Sequence, residues 1–335
     1  MDPLSQGALG AALPLATRRR TQAVVAGGLG FIAGMMADLD VLIRSQTDPL
    51  LFLEYHRQFT HSLIFIPVGG LIAALLLYRP FRRWHGLTFP RTWMFCALGY
   101  GTHGSLDTAT SYGTVLLWPF SDARFSWSII SIVDPLFTLP VLALAIAGVV
   151  RRNGAWGRAA LVWALVYLGL GTVQHRTALA MGHALAADRG HAPLRLEVKP
   201  SFANILVWKV IYETADRFHV DAVRAGIGPM VMPGTSVPRL DPARDFPWLR
   251  ADSRQARDIA RFARYSDGYV ARDPNHPDRV IDVRYSFVPN EIAPLWSIGL
   301  WPDAAPAAHV TFETHRESVR ARLPDLWRMI IGMAP

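Results

Sequence analysis

The stretch "HRQFTHSLIFIPVGGLIAALLLY", residues 56–78, sets two histidines, an arginine and a threonine directly against a run without a single charge. As a helix, residues 62–78 rise about 25 Å, close to the ~30 Å hydrocarbon core of a bilayer. Ionisable side chains are costly at membrane depth and need partners there. The position of His56, Arg57, Thr60 and His61 at the mouth of such a run therefore asks for a reason beyond solubility.

Four more runs of this kind flank it, at about 21–37, 93–112, 129–150 and 159–180. A signal peptide does not account for the first, which starts late and ends in "MMADLD", a poor small-residue cleavage site. Residues 3–16, "PLSQGALGAALPLA", are apolar but span only about half a bilayer, and are expected to form a short re-entrant or interfacial helix. The whole chain is 51% hydrophobic and 18% charged, and its mean hydropathy is +0.20. A soluble protein of 335 residues would carry roughly a quarter charged.

The net charge of +8 is almost all arginine, since Lys199 and Lys209 are the only lysines. One set of run ends carries Arg18, Arg19, Arg20, Arg79, Arg82, Arg83, Arg91, Arg151, Arg152 and Arg158; the opposite ends carry Arg44, Arg57 and Arg124. Ten arginines against three puts the first set in the cytoplasm by the positive-inside rule. The lone cysteine, Cys96, excludes an intrachain disulfide and a cysteine-based metal site.

Residues 181–335 change character and read as a soluble α+β unit. Strands are expected at 219–226, 279–289, 295–301 and 309–315, helices near 252–265 and 316–331, and a loop over the proline-rich 226–250. Arginines 239–264 alternate with aspartates, the pattern of a salt-bridged surface, and no nucleic-acid-binding motif is present. The expected architecture is a multi-span α-helical membrane bundle of about five spans plus a short N-terminal helix (1–180), followed by a smaller soluble α+β domain (181–335).

Followed in and out through the runs, Asp38, Asp40, His56, His61, His103 and Asp107 all fall on the arginine-poor side. His103 and Asp107, spaced i, i+4, share a helix face, whereas the i, i+2 spacing of Asp38 and Asp40 suits a loop or a frayed helix end. Six imidazole and carboxylate groups converging on one pocket form a natural partner set for a divalent cation: Zn²⁺, Fe or Mn²⁺, with Mg²⁺ left open. They exceed one tetrahedral shell, so either two ions are held or one ion with outer carboxylates orienting the histidines. Thr60 has the residue type of a helix N-cap. Arg57 either reaches lipid phosphate or clamps an anionic substrate group. Asp134, before Pro135, is weighed as a cap or a site member; His175 is weighed as a helix polar residue or a lining one. Residues 111–127 are weighed as an interfacial aromatic belt or a lid over the site.

"ADLD", "HRQFTHS", "THGSLDTATSYGTVLLWPFSD" and "VDPLF", with the opening "MDPLSQGALGAALP", resemble the inner-membrane family named for YbcI and YdjM over about residues 1–180. Family members often carry a histidine near the N-terminus, where this chain has Gln6. The resemblance implies a multi-span membrane protein with metal-dependent hydrolase activity. The resulting expectation is an inner-membrane hydrolase with Asp38 or Asp107 as ligand or general base and Arg57 holding an anionic group. Its site and C-terminal domain lie on the extracytoplasmic side, its partner is membrane lipid, and its substrate is a lipid or lipid-linked ester or phosphoester. The alternatives are a metal-ion or proton transporter, and a non-enzymatic membrane protein with a structural metal.

Overall fold

A computed structural model describes residues 1–17, 22–317 and 319–333, with the backbone alone over 83–85. Arg18, Arg19 and Arg20, which count toward the expected orientation, lie outside the described residues. The chain divides into two compact units. The first comprises Met1–Leu42, Tyr55–Val173 and Phe202–Asn204, and the second Ile43–Glu54, Gln174–Ser201 and Ile205–Pro335.

The first unit is helical. Its elements are α1 (Pro3–Ala16), α2 (Ala23–Met35) continued by a 3-10 helix over Met36–Leu42, α4 (Ile66–His85), α5 (Phe89–Ala109), α6 (Pro135–Val150) and the start of α7 (Gly154–Asp188). A short α3 (Leu51–Tyr55) lies between the 3-10 segment and α4. Asp-Pro pairs open two of these helices. Asp2 accepts from the amides of Leu4 and Ser5 before α1, and Asp134 from those of Leu136 and Phe137 before α6. In both, proline fills the first turn, where no amide proton is needed.

Among the described residues, three segments are long and apolar enough to cross a membrane: Ala23–Leu42, Leu63–Arg82 and Gly154–Asp188. The other two expected spans, α5 and α6, fall outside that set for physical reasons. α5 trades hydropathy for buried polar residues, among them Thr102, His103, Asp107 and Thr108, and the 16 residues of α6 rise only about 24 Å. Leu75 and Leu76 of α4, Leu136 and Leu139 of α6, and Leu165 of α7 are all more than 60% exposed, which water would penalise and lipid would not.

The interior is set by close backbone approach. A Cβ on Gly30 of α2 would lie 2.3 Å from the Gly10 carbonyl of α1, and one on Gly99 of α5 would lie 2.4 Å from the Gly30 carbonyl. Only glycine lets three helices approach this closely, and that closeness carries the end of α5 to the end of α2.

The second unit holds two antiparallel four-stranded sheets, each in sequential order: β1 (Arg195–Pro200) to β4 (Met230–Pro238), and β5 (Val270–Arg272) to β8 (Thr311–Thr314). Between them in sequence come β2 (Val207–Glu213), β3 (Arg217–Arg224), β6 (Arg279–Asp282) and β7 (Trp296–Gly299). Ile211, Phe218, Val220 and Val237 of the first sheet pack with Tyr269, Ala271, Ile281 and Val283. Helices α9 (Arg254–Tyr265) and α10 (Val319–Ile331) complete the unit, with a short α8 (Pro242–Asp245). Leu50 and Leu53 enter the core beside Phe262 of α9, and Arg261 holds Asp48 and Glu54 at 2.9 and 2.8 Å.

Three expectations change here. β2, "VWKVIYE", is buried along its entire length and so shows no alternation to read. The expected loop over 226–250 contains β4, an edge strand that tolerates Pro233 at a register shift opposite Asp221, whose carboxylate accepts from the Gly234 amide at 2.9 Å. The expected strand 279–289 stops at Asp282, which turns the chain by accepting from the Arg284 amide at 3.0 Å and pairing with its guanidinium at 2.8 Å.

Candidate metal centre

The 3-10 winding that ends α2 carries Asp38 and Asp40. The 3-10 turn Phe59–His61 before α4 carries His61, and the last turns of α5 carry His103 and Asp107. Gly104 fixes their separation: a Cβ there would sit 2.2 Å from the His61 carbonyl.

Each imidazole is held by one nitrogen. His103 Nδ1 lies 2.6 Å from the Gly34 carbonyl, which can only accept, so Nδ1 bears a proton and Nε2 is the nitrogen turned to the centre. Thr60 Oγ1 donates to Asp40 Oδ2 at 2.8 Å, which leaves His61 Nδ1, 2.9 Å from the same hydroxyl, as donor to it. His61 Nε2 is then the nitrogen turned to the centre. Oxygen acceptors behind histidines in this way are the usual outer layer of metal sites.

These two nitrogens meet two carboxylate oxygens. His61 Nε2 is 3.4 Å from Asp38 Oδ1 and 3.2 Å from Asp107 Oδ2; His103 Nε2 is 3.3 and 3.6 Å from the same atoms. All four are buried atoms with no hydrogen-bond partner. A tetrahedral ion with ligand bonds of 2.0–2.1 Å has edges of about 3.3 Å, and these four nitrogen–oxygen separations are close to that length, with one ligand atom from each residue within 4.8 Å of the others. Buried polar atoms without partners are costly, and four of them facing one another fit a cation between them.

Other residues hold this set in place. Asp107 Oδ1 accepts from Gln6 Nε2 at 3.0 Å and from the Met1 amino group, leaving Oδ2 for the centre. Arg57 is 5% exposed, with its Nε 3.3 Å from Asp107 Oδ2, its Nη1 donating to Thr110 Oγ1 at 3.2 Å and its guanidinium over Tyr112. A buried guanidinium in these contacts is not reaching for lipid phosphate. Arg57 also has φ +64°, a left-handed backbone unusual for a side chain of this size, and its amide donates to Asp40 Oδ2 at 2.9 Å.

Asp40 and His56 stand apart from the four. His56 Nδ1 is 2.8 Å from Asp40 Oδ1, and Asp40 Oδ2 accepts from Thr60 and Arg57. Asp38, Asp40 and His56 nonetheless form a second group able to share an ion. Asp38, with its side chain 21% exposed, belongs to both groups and is the open edge of the site.

Several weighed positions take other places. Thr60 is not a cap, since α4 starts after Phe65 without side-chain capping. Asp134 caps α6 and accepts from Tyr167 at 2.8 and 2.9 Å. His175 packs edge-on to Trp208 in the second unit. Within 111–127, Tyr112 stacks on Arg57 and Arg124 while Phe120 is 83% exposed. Gln6, which stands where family members often carry a histidine, serves here by holding Asp107, and Gly34 was not foreseen as part of the site, since no spacing rule links a glycine carbonyl to a histidine far along the chain.

Fold and site together define a helical membrane protein with a buried carboxylate–imidazole cluster able to hold an ion. The family of the YdjM inner membrane protein matches residues 1–178, more than half of the chain, and the chain belongs to that family. The inner membrane protein YbcI of Escherichia coli (strain K12) is 35% identical over 107 residues, which cover 31% of this chain and 60% of YbcI. The chain thus spans less than two thirds of that relative. No solved structure matches. Family and apolar helices agree on the inner membrane.

Proposed function

We propose that the chain is a membrane-embedded metal-dependent hydrolase whose ion is held by Asp38, His61, His103 and Asp107. The observation that carries this reading is the set of four buried atoms without hydrogen-bond partners whose nitrogen–oxygen separations, 3.2–3.6 Å, are close to a tetrahedral edge. A divalent ion there supplies Lewis acidity and activates water near neutral pH. The protein's own groups do the rest. Thr60 and Asp40 orient His61, the Gly34 carbonyl orients His103, and Gln6 turns Asp107. Asp38, at the open edge, is the carboxylate that accepts a proton from the attacking water. Arg57 places a fixed positive charge beside the centre, where an anionic substrate group is drawn.

One ion rather than two follows from Asp40, whose oxygens are already taken by His56, Arg57 and Thr60. The substrate class is a lipid or lipid-linked ester or phosphoester, because the site lies among helices with lipid-facing apolar rows. α5 and α6 join the three candidate spans in a five-span bundle, with site and second unit extracytoplasmic as the arginine bias directs.

Elemental analysis of detergent-purified wild type beside an Asp38/His61 double alanine variant tests the centre. About one ion per chain is expected in the first and background in the second; unchanged stoichiometry refutes the ligand assignment. Turnover is then sought on phospholipid and lipid-phosphate esters.

One observation favours a second reading: four protein ligands close a tetrahedral shell, the habit of structural zinc. Chelation that unfolds the protein, with no turnover on any ester, decides for it.

A further inference from the structure

The second unit carries an apolar ridge that its core does not use. α10 faces two ways. Its Leu326 and Met329 are buried, Met329 against Val207, Ala222, Met232 and Val288. Its Leu323, Trp327 and Ile331, spaced i, i+4, i+8, form an outer stripe that is 44%, 61% and 48% exposed. Ile227, 85% exposed, is tied to the same edge by Arg224, which donates to the carbonyls of Ile227 and Gly228 and, from Nε, to that of Ile330 at 2.9 Å. Arg320 and Arg328 stand exposed along the stripe.

The helix that holds Ile227 says what covers the ridge. α7 bears an exposed apolar row, Val162, Leu165, Val166, Leu170 and Val173, and then turns polar at Gln174, His175 and Arg176. Its 35 residues exceed the roughly 20 that a bilayer core takes up, so part of the helix stands outside the hydrocarbon. Gln174 marks that exit. Its Nε2 donates to the Ala225 carbonyl at 3.3 Å, and its side chain lies against Gly226, next to Ile227. The loop is thereby held against Gln174, the first polar residue after the apolar row of α7. Tryptophan and arginine are side chains suited to the interfacial layer.

We propose that Ile227, Leu323, Trp327 and Ile331 lie in the interfacial layer of the membrane that α7 enters, with Arg320 and Arg328 on lipid phosphates. The proposal rests on α7 as a membrane span and is independent of the metal reading.

The test uses the full chain with Cys96→Ala, in nanodiscs of phosphatidylethanolamine and phosphatidylglycerol holding one copy each. A spin label is placed at Leu323→Cys or, as a reference in the exposed loop before β8, at Ala305→Cys. The label at 323 is expected to meet a water-soluble nickel chelate about fivefold less than the reference, and molecular oxygen more, as for a side chain sunk 5–10 Å into the headgroup boundary. Equal nickel access at both positions overturns the proposal. Protection seen only with two copies per disc assigns the ridge to a second copy and also overturns it. Ile227→Cys repeats the reading at a loop position whose replacement disturbs no core.

Discussion

The two units treat buried charge in opposite ways. In the second, buried ionisable groups are matched within the protein. Asp221 takes both arms of Arg189 at 2.7 and 2.8 Å, Asp258 takes Arg261 and His309 at 3.0 and 2.7 Å, and the Lys209 ammonium donates to Ser286 Oγ and the Glu291 carbonyl at 2.7 and 2.8 Å. Its unpartnered buried atoms, Tyr269 OH, Arg279 Nε and Asn290 Oδ1, belong to no group of histidines and acids among the described residues. In the first unit the unpartnered atoms converge. The fold satisfies buried charge within the protein in one region and leaves four such atoms close together in the other, a group able to hold an ion.

The strongest way to break this contrast is to remove one of the converging atoms. Asp107→Asn should abolish ion binding, because the amide carries no charge and its nitrogen offers no lone pair to the centre; elemental analysis reading one ion per chain in the variant would remove the distinction between the units. Asp40→Asn should leave the stoichiometry intact at saturating metal while weakening affinity about 10–100-fold, the usual effect of losing an orienting carboxylate. Metal titration of the stripped protein measures that, and an unchanged dissociation constant would detach Asp40 from His61.

A subtler change alters spacing alone. Gly104→Ala puts a methyl 2.2 Å from the His61 carbonyl, so the turn must retreat. Overpacking of this kind costs about 1–3 kcal/mol, and the melting temperature and the ion affinity should fall together. A loss of stability without loss of affinity would show that Gly104 serves only packing.

The smallest effect sharpens the other side of the comparison. Burial pushes the Lys209 ammonium down to about 7, against 10.5 for an exposed lysine, while Asp282, Glu291 and Asp221 pull it back up. The unfolded chain therefore binds the proton more tightly between those two values. Stability contributed by this group rises with pH from about 7 toward 10.5 and is flat below 7. The melting temperature of the solubilised chain should climb over that window, and Lys209→Met should flatten the climb. An identical pH profile in the variant would mean that Lys209 reaches water.

Much of the site is legible in the sequence because ionisable residues near apolar runs are few. Following the runs in and out sorts Asp38, His61, His103 and Asp107 to one side, and the structure brings those four together. What the sequence hides is the holding layer. A glycine carbonyl, a glutamine on a different helix and a threonine that looks like a cap carry no pattern, because their roles arise from backbone approach and not from spacing. The second unit is less legible still, since a strand buried on both faces, like β2, loses the alternation that betrays a strand.

The order of the ligands along the chain has a consequence for biogenesis. A protein threaded into the bilayer from its first residues delivers Asp38, then His61, and only at the end of α5 the pair His103 and Asp107. No ion can be fully enclosed before α5 has docked against α2. On the proposed metal reading, capture of the ion is a late event, and the fraction of chains that carry it would count the molecules whose helices have finished assembling.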